Sequence, residues 1–151
     1  MEFRSYMGLA LEEARAAAAR DEVPVGAVLV GSDGAVLARD GNRAREYSDP
    51  TAHAEMLVIR EAAAKVAPGN LAGSALYVTL EPCAMCAMAI SHARIARLYY
   101  GAADPKSGGV AQGARVFEQA QTHHVPEVYD GIAAEDAGAL LTAFFKERRG
   151  A

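Results

Sequence analysis

Glu81-Pro82-Cys83-Ala84-Met85-Cys86 contains both cysteines of the chain, spaced C-x-x-C. The apolar run Leu76-Tyr77-Val78-Thr79-Leu80 precedes it, so the pair follows a strand-like segment and opens a helix. Cysteines at a helix start lie near amide N–H groups that favour negative charge, which promotes the thiolate. Upstream, Thr51-Ala52-His53-Ala54-Glu55 opens another helical segment and offers a histidine. One histidine and two cysteines are a soft-to-borderline donor set that suits zinc. Structural zinc sites close with four protein ligands, whereas catalytic sites keep a position open for water. The presence or absence of a fourth ligand therefore decides the chemistry.

The remaining histidines are His92, His123 and His124. His92 follows Cys86 by six positions on the same expected helix, which turns it to the far side. His123 and His124 stand beside a proline with no spacing typical of a zinc motif. Three ligands, His53, Cys83 and Cys86, with one open position is the better reading, giving one zinc ion per chain. The alternatives are a redox C-x-x-C or half of a zinc ribbon. A ribbon needs a second cysteine pair, which is absent, and neither alternative uses His-x-Glu.

Glu55 can be read as an acid in the first helical turn that satisfies the helix dipole. It stands four residues after Thr51, one too many for a capping box. A carboxylate two residues from a metal ligand is also well placed to shuttle protons at a metal-bound water.

The 151 residues fit one domain, expected over 1–151, able to bury roughly 70% of its unfolded surface. A hydrophobic content of 52% with 23% charged residues describes a soluble globular protein. Both cysteines are assigned to metal and none remains for a disulfide, which fits a reducing cytoplasm. Met1-Glu2-Phe3-Arg4 shows no apolar h-region, and no apolar run approaches spanning length, so no membrane association is expected. The net charge of −4 argues against a general nucleic-acid coat but leaves room for a local basic patch.

Along the chain, Leu9, Ala10, Ala14, Ala17 and Ala18 recur at helical spacing and predict a helix over Tyr6 to Asp21. Val23 to Val30 reads as a strand, Gly31 to Gly34 as a turn, and Ala35 to Arg39 as the return strand. Asn42 ends this hairpin, where it is usually a turn residue, although an amide can also donate to and accept from a base edge. Asp49-Pro50-Thr51 signals a helix start, and that helix stops at Pro68-Gly69. A strand over Ala75–Leu80, a helix to about Ala93 and a strand over Ile95–Gly101 argue for parallel strands joined by a crossover. Met85 and Met88 lie on this central helix, which is apolar almost all round, so part of it is expected to face a second subunit.

The loop Ala102 to Gly109, with Asp104 and Lys106, reads as a solvated turn. A helical piece at Ala114–Ala120 and a short strand near Val125–Tyr129 follow. The last helix, Glu135 to Arg149, has adjacent Phe144 and Phe145 about 100° apart, so one can be core while the other meets a ligand. Its cations Lys146, Arg148 and Arg149 suit the helix dipole without further purpose.

His-x-Glu followed by Pro-Cys-x-x-C is similar to the signature of zinc-dependent nucleobase deaminases. Together with Val23–Val28, Asp49–Glu55, Leu76–Cys83, Tyr100–Lys106 and the closing Phe144-Phe145 and Arg148-Arg149, the chain resembles bacterial tRNA-specific adenosine deaminases over essentially its whole length. The zinc motif marks the broad cytidine deaminase-like superfamily, and the Asp104/Lys106 loop and the tail narrow it to the tRNA branch. The resemblance implies an α/β fold, a three-layer α/β/α sandwich with a central five-stranded mixed sheet, and a homodimer. It implies conversion of adenosine to inosine at the wobble position of an arginine tRNA anticodon. His53, Cys83 and Cys86 would bind Zn²⁺, and Glu55 would move protons. Asn42 and the Ala54 backbone would read the base, while Asp104, Lys106, Phe145 and Arg149 would meet neighbouring nucleotides of the anticodon stem-loop.

Two other readings keep the motif. A sister enzyme would act on a free base, guanine or cytosine, since fold and motif do not fix substrate. A zinc-stabilised binding module would lack catalysis, but such a site is normally closed by a fourth ligand.

Overall fold

Strands β1 (Gly26–Val30) and β3 (Ala75–Leu80) are apolar on both faces because both faces are covered. Ala27 and Leu29 join Leu76 and Val78 in a core shared with Val58, Ala62, Ala87 and Ile90. Their neighbours Val28, Val30, Ala75 and Tyr77 point the other way, against Met7 and Ala10. This is the period-two alternation of a strand with a helical layer on each side.

The computed structural model describes residues 2–66 and 68–149, with the side chains of 2–5 and 149 outside the description. The five strands run in the order β2-β1-β3-β4-β5, with β2 at Val36–Gly41, β4 at Arg97–Ala102 and β5 at Glu127–Tyr129. β1 is antiparallel to both β2 and β3, whereas β3–β4 and β4–β5 are parallel. Helices α1 (Glu2–Ala19) and α4 (Ala134–Arg149) lie on one face of the sheet, and α2 (Ala54–Lys65) and α3 (Ala84–His92) on the other. The three-layer α/β/α sandwich with a mixed sheet is thus the observed fold.

The alanines of α1 serve close packing. Ala10, Ala14 and Ala17 are fully buried, and a Cβ on Gly26 would stand 2.0 Å from the Ala10 carbonyl oxygen. Only glycine lets this strand pass so close beneath the helix.

Several element boundaries differ from the sequence expectation. α2 does not start at Asp49-Pro50-Thr51. The Asp49 carboxylate accepts the Thr51 N–H (2.9 Å) and hydroxyl (2.7 Å), closing a local turn, and the helix begins only after His53. The expected helix at Ala114–Ala120 shrinks to a 3-10 turn at Val116–Glu118, entered through Arg115 at φ 43°. The strand at Val23 starts later, at Gly26, because Pro24 has no N–H for the ladder. No helix among the described residues is long and apolar enough to cross a membrane.

The parallel pair β3–β4 ends at Leu80 and Ala102, and both chains continue into loops at the same sheet edge. Beyond the carboxyl ends of the strands is where open α/β sheets form their ligand crevices.

Candidate metal centre and active site

Two helix starts meet at that edge. His53 occupies the N-cap position of α2, Cys83 that of α3, and Cys86 lies in the first turn of α3. Neither N-cap side chain makes a capping hydrogen bond, so imidazole and thiol are free for other partners. The His53 Nδ1 lies 3.6 Å from the Cys83 Sγ and 3.5 Å from the Cys86 Sγ. All three donor atoms fall within 4.8 Å of one another. Tetrahedral zinc with ordinary Zn–S and Zn–N bonds sets ligand atoms about 3.6 Å apart, so the triad fits the ion.

Among the described residues no fourth donor joins the cluster. His92 and His123 are exposed, and His124 is spent on structure: its Nε2 meets the Ile95 carbonyl at 2.8 Å, and its own carbonyl accepts the Ser91 hydroxyl at 2.7 Å. Three ligands with room for a fourth is a catalytic pattern rather than a structural one.

The thiols are poised for a cation. The Cys86 S–H and the His53 ring hold the Cys83 thiol down at about 4. The Cys83 sulfur and burial push the Cys86 thiol up. His53 is raised, chiefly by its contact with Cys83. A divalent cation held by His53, Cys83 and Cys86 would require both sulfurs as thiolates.

Glu55 is 4% exposed, and burial pushes its carboxyl up to about 7. A carboxyl that exchanges its proton near neutrality is what a general acid–base group requires. It lines a cavity of about 210 Å³ together with His53, Cys83, Asn42, Val25 and Leu80. That volume is below the range of drug-sized pockets and suits one flat ring.

Asn42 is held on both sides. Its backbone N–H donates to the Val25 carbonyl at 3.1 Å, and its carbonyl accepts Arg20 Nη2 at 3.0 Å. Its side-chain oxygen accepts the Ala54 N–H at 2.8 Å. The Ala54 N–H, expected to face the base, is thus occupied within the protein by Asn42.

Val23, Glu81, Asp104 and Ser107 complete the cavity wall. The Asp104 carboxylate accepts the N–H groups of Lys106 (3.2 Å) and Ser107 (3.1 Å), shaping the turn that presents them. Lys106 is exposed. A neighbouring cavity of about 410 Å³ shares Val23, Leu80, Asp104 and Ser107 with the first and adds Lys106, Leu141 and Phe145. Phe144 is 7% exposed and Phe145 is 44% exposed, so the phenylalanine pair divides between core and rim. Arg148 sits over the Phe144 ring, 3.4 Å from its centroid, and pairs with Asp21. Lys146 is exposed, and the Arg149 side chain lies outside the described residues.

Two buried acids escaped the sequence reading. Glu22 accepts the N–H groups of Arg45 (3.1 Å) and Glu46 (2.7 Å), steadying the segment that leads to His53. Glu81, 2% exposed, accepts four backbone N–H groups of the Asp104–Gln112 loop. That loop is accordingly an anchored wall of the cavity rather than the solvated turn its composition suggests. The available signal was an acid between an apolar strand and Pro82, where no solvent-facing turn was due.

Residues 2–102 match the family model described as the cytidine and deoxycytidylate deaminase zinc-binding region. A tRNA-specific adenosine deaminase of Agrobacterium fabrum is 58% identical over 144 residues, covering 95% of this chain and 94% of that protein. One of Bacillus subtilis is 42% identical over 144 residues, covering 95% and 89%. A solved structure from work on A-to-I editing by tRNA:A34 deaminases at the wobble position of transfer RNA superposes with a TM-score of 0.88, at 58% identity over 91% of this chain and 99% of that one. A guanine deaminase from Nitrosomonas europaea superposes at 0.77 with 26% identity, covering 93% and 83%. By the match over residues 2–102 and the 58% identity across nearly the whole length, this chain belongs to the cytidine and deoxycytidylate deaminase family and, within it, to the tRNA-specific adenosine deaminases.

Proposed function

We propose that this protein hydrolytically deaminates adenosine to inosine at the wobble position of a tRNA anticodon, an arginine tRNA by the family resemblance. The observation that carries the reading is the pair of adjoining cavities. A small one holds Glu55, Asn42 and the metal triad, and a second, bearing Lys106 and the exposed Phe145, opens beside it. A free base needs only the first, whereas a nucleotide within a chain needs somewhere to seat its neighbours. An aromatic ring and a cation are suited to stack a base and meet a phosphate.

His53, Cys83 and Cys86 would hold one zinc ion per chain, which when bound supplies a water acidic enough to ionise near neutral pH. Asn42 keeps its carboxamide N–H₂ as a donor to the base, because its oxygen is committed to Ala54. Val25 and Leu80 line the cavity with apolar surface that excludes water around the ring. Glu55 takes a proton from the attacking water and delivers it to N1 of adenine as the C6–O bond forms. It then takes the proton of the new C6 hydroxyl and passes it to the amino group, so the C6–N bond breaks, ammonia leaves and the base becomes hypoxanthine. The target base must leave its stack, which costs a few kcal/mol in a duplex and less in an already single-stranded loop.

The working unit is a single deaminase domain acting as a homodimer in the cytoplasm. Support for the dimer comes from α3, where Cys86, Ala87, Ile90 and Ser91 are buried while Met85, Met88 and Ala89 remain partly open. The test is to incubate zinc-loaded protein with total bacterial tRNA and sequence for A-to-I changes. Inosine at anticodon wobble positions is expected. No change in tRNA, together with turnover of free guanine or cytosine, would transfer the assignment to a small-molecule deaminase.

A further inference from the structure

We infer that Glu81 is a positioning residue that sets the wall of the base cavity and holds it in register with the zinc ligand Cys83. The inference deepens the reading of this cavity as the substrate site and rests on it. Glu81 leaves β3 directly before Pro82 and Cys83. Its own N–H donates to the Ala102 carbonyl at 2.8 Å, which ties it to the end of β4. Its carboxylate then receives four backbone donors from a single loop. Oε1 accepts the Asp104 N–H at 3.0 Å, and Oε2 accepts those of Val110 (3.2 Å), Ala111 (2.9 Å) and Gln112 (3.1 Å).

A carboxylate has about four acceptor positions, and here four N–H groups converge on it, three of them on Oε2. Glu81 is thus engaged by backbone donors from a single loop, although it lines the same cavity as Glu55. That engagement gives it a mechanical role. The loop is pressed onto it closely: a Cβ on Gly108 would stand 2.5 Å from the Glu81 Cδ, and one on Gly109 2.5 Å from the Ala84 nitrogen. Gly109 also donates its N–H to the Pro82 carbonyl at 2.8 Å, and Gly108 bridges to Cys83. One buried carboxylate therefore fixes both ends of the segment carrying Asp104, Lys106 and Ser107. It does so two residues from a metal ligand.

Groups positioned this way touch substrate away from the reacting carbon. They are felt alike in ground and transition states, so their displacement raises KM more than it lowers kcat. Glu81→Gln preserves shape but puts an N–H₂ where an oxygen accepted, so at least one loop amide loses its partner. With an anticodon stem-loop as substrate, KM should rise about 10- to 100-fold, the usual worth of a hydrogen bond to a charged group. The kcat should change less, and zinc content should stay at the wild-type level. A merely structural role would instead lower zinc and active fraction together and leave KM unchanged.

Gly108→Ala, which pushes the loop off an intact Glu81, should reproduce the rise in KM. Glu81→Gln combined with Lys106→Ala should be less than additive, because both act through one loop. A KM within about twofold of wild type in a zinc-loaded Glu81→Gln protein, or an additive double variant, overturns the inference. If Glu81→Gln does not fold, an unchanged KM in Gly108→Ala overturns it. Wild-type protein that ignores the stem-loop defeats the tRNA reading instead. Amide exchange in that same protein then decides the clamp, since rapid exchange at Asp104 and Val110–Gln112 would overturn it.

Discussion

The side-chain oxygen of Asn42 accepts the backbone N–H of Ala54 at 2.8 Å, linking the end of β2 to the first residue of α2. The contact assigns the carboxamide, because the atom facing an N–H must be the acceptor, and it leaves the N–H₂ as the group available to a base. Two substitutions separate these duties. Asn42→Ala leaves the Ala54 amide without its partner and removes the base donor, so both stability and kcat/KM should fall, the latter about 10- to 100-fold. Asn42→Asp keeps an acceptor for Ala54 and loses only the donor. Its melting temperature should stay near wild type while its activity falls as far. An active Asn42→Asp enzyme would show that the donor is not used.

Glu55 should be dispensable for folding and needed for turnover. Glu55→Gln should retain zinc and lose at least about 10²-fold in kcat, the lower range for a general acid–base group. Its burial also gives a pH signature in the metal-free protein. The folded carboxyl titrates near 7 against an ordinary 4.5, so the folded state binds more protons between those values. Stability attributable to this group is complete at low pH and is lost as pH rises from about 4.5 through 7. Relative to wild type, metal-free Glu55→Gln should gain up to about 3 kcal/mol at pH 8 and little at pH 4. Denaturant melts at the two pH values check this, and a gain at pH 4 alone would reverse the sign of the argument.

Removing a ligand should remove the metal. Cys86 is fully buried and adjoins both His53 and Cys83, so Cys86→Ser leaves two ligands and a hydroxyl that does not ionise near neutrality. The loss of zinc affinity should exceed the roughly 10- to 100-fold produced by altering outer partners. Elemental analysis after dialysis reads it directly, and full retention would remove Cys86 from the ligand set.

The partly open apolar side of α3 predicts association. Sedimentation at micromolar concentration should give about twice the 15.8 kDa chain mass. Met85→Lys with Met88→Lys should shift the species to monomer. A wild-type monomer would mean that α3 is simply core at its edge.

What was legible in the sequence follows from how locally each feature is determined. The ligands and Glu55 sit within one helical turn of two helix starts, so spacing alone places them on the same short arcs. The three layers came from the family resemblance, and they agree with β1 and β3 being apolar on both faces. The anchored loop was not legible. Glu81 and Val110 are 29 residues apart, and nothing local marks an acid whose partners are backbone amides far along the chain. Asp49 misled for a related reason: Asp-Pro-Thr is a good turn and a good helix start, and the tertiary position of His53 decided between them.

The tail cations divide once their partners are known. The net charge is −4, so affinity for RNA must come from a localised cationic surface. Arg148 is committed to Asp21, which also holds Arg45 at 2.7 Å, and it covers the Phe144 ring. Arg148→Ala should therefore act mainly on stability, by about 1 kcal/mol, and leave the salt dependence of RNA binding nearly unchanged. Lys106 and Lys146 are exposed. Removing one cation that meets a phosphate flattens the slope of log affinity against log salt by about 0.7 to 1. Replacing both lysines with alanine should weaken binding to an anticodon stem-loop and flatten that slope by up to about 2, with zinc content unchanged. Titrations of the labelled stem-loop across a salt series measure it. An unchanged slope in the double lysine variant, or a flattened one in Arg148→Ala, would place the phosphate-binding cations elsewhere on the surface.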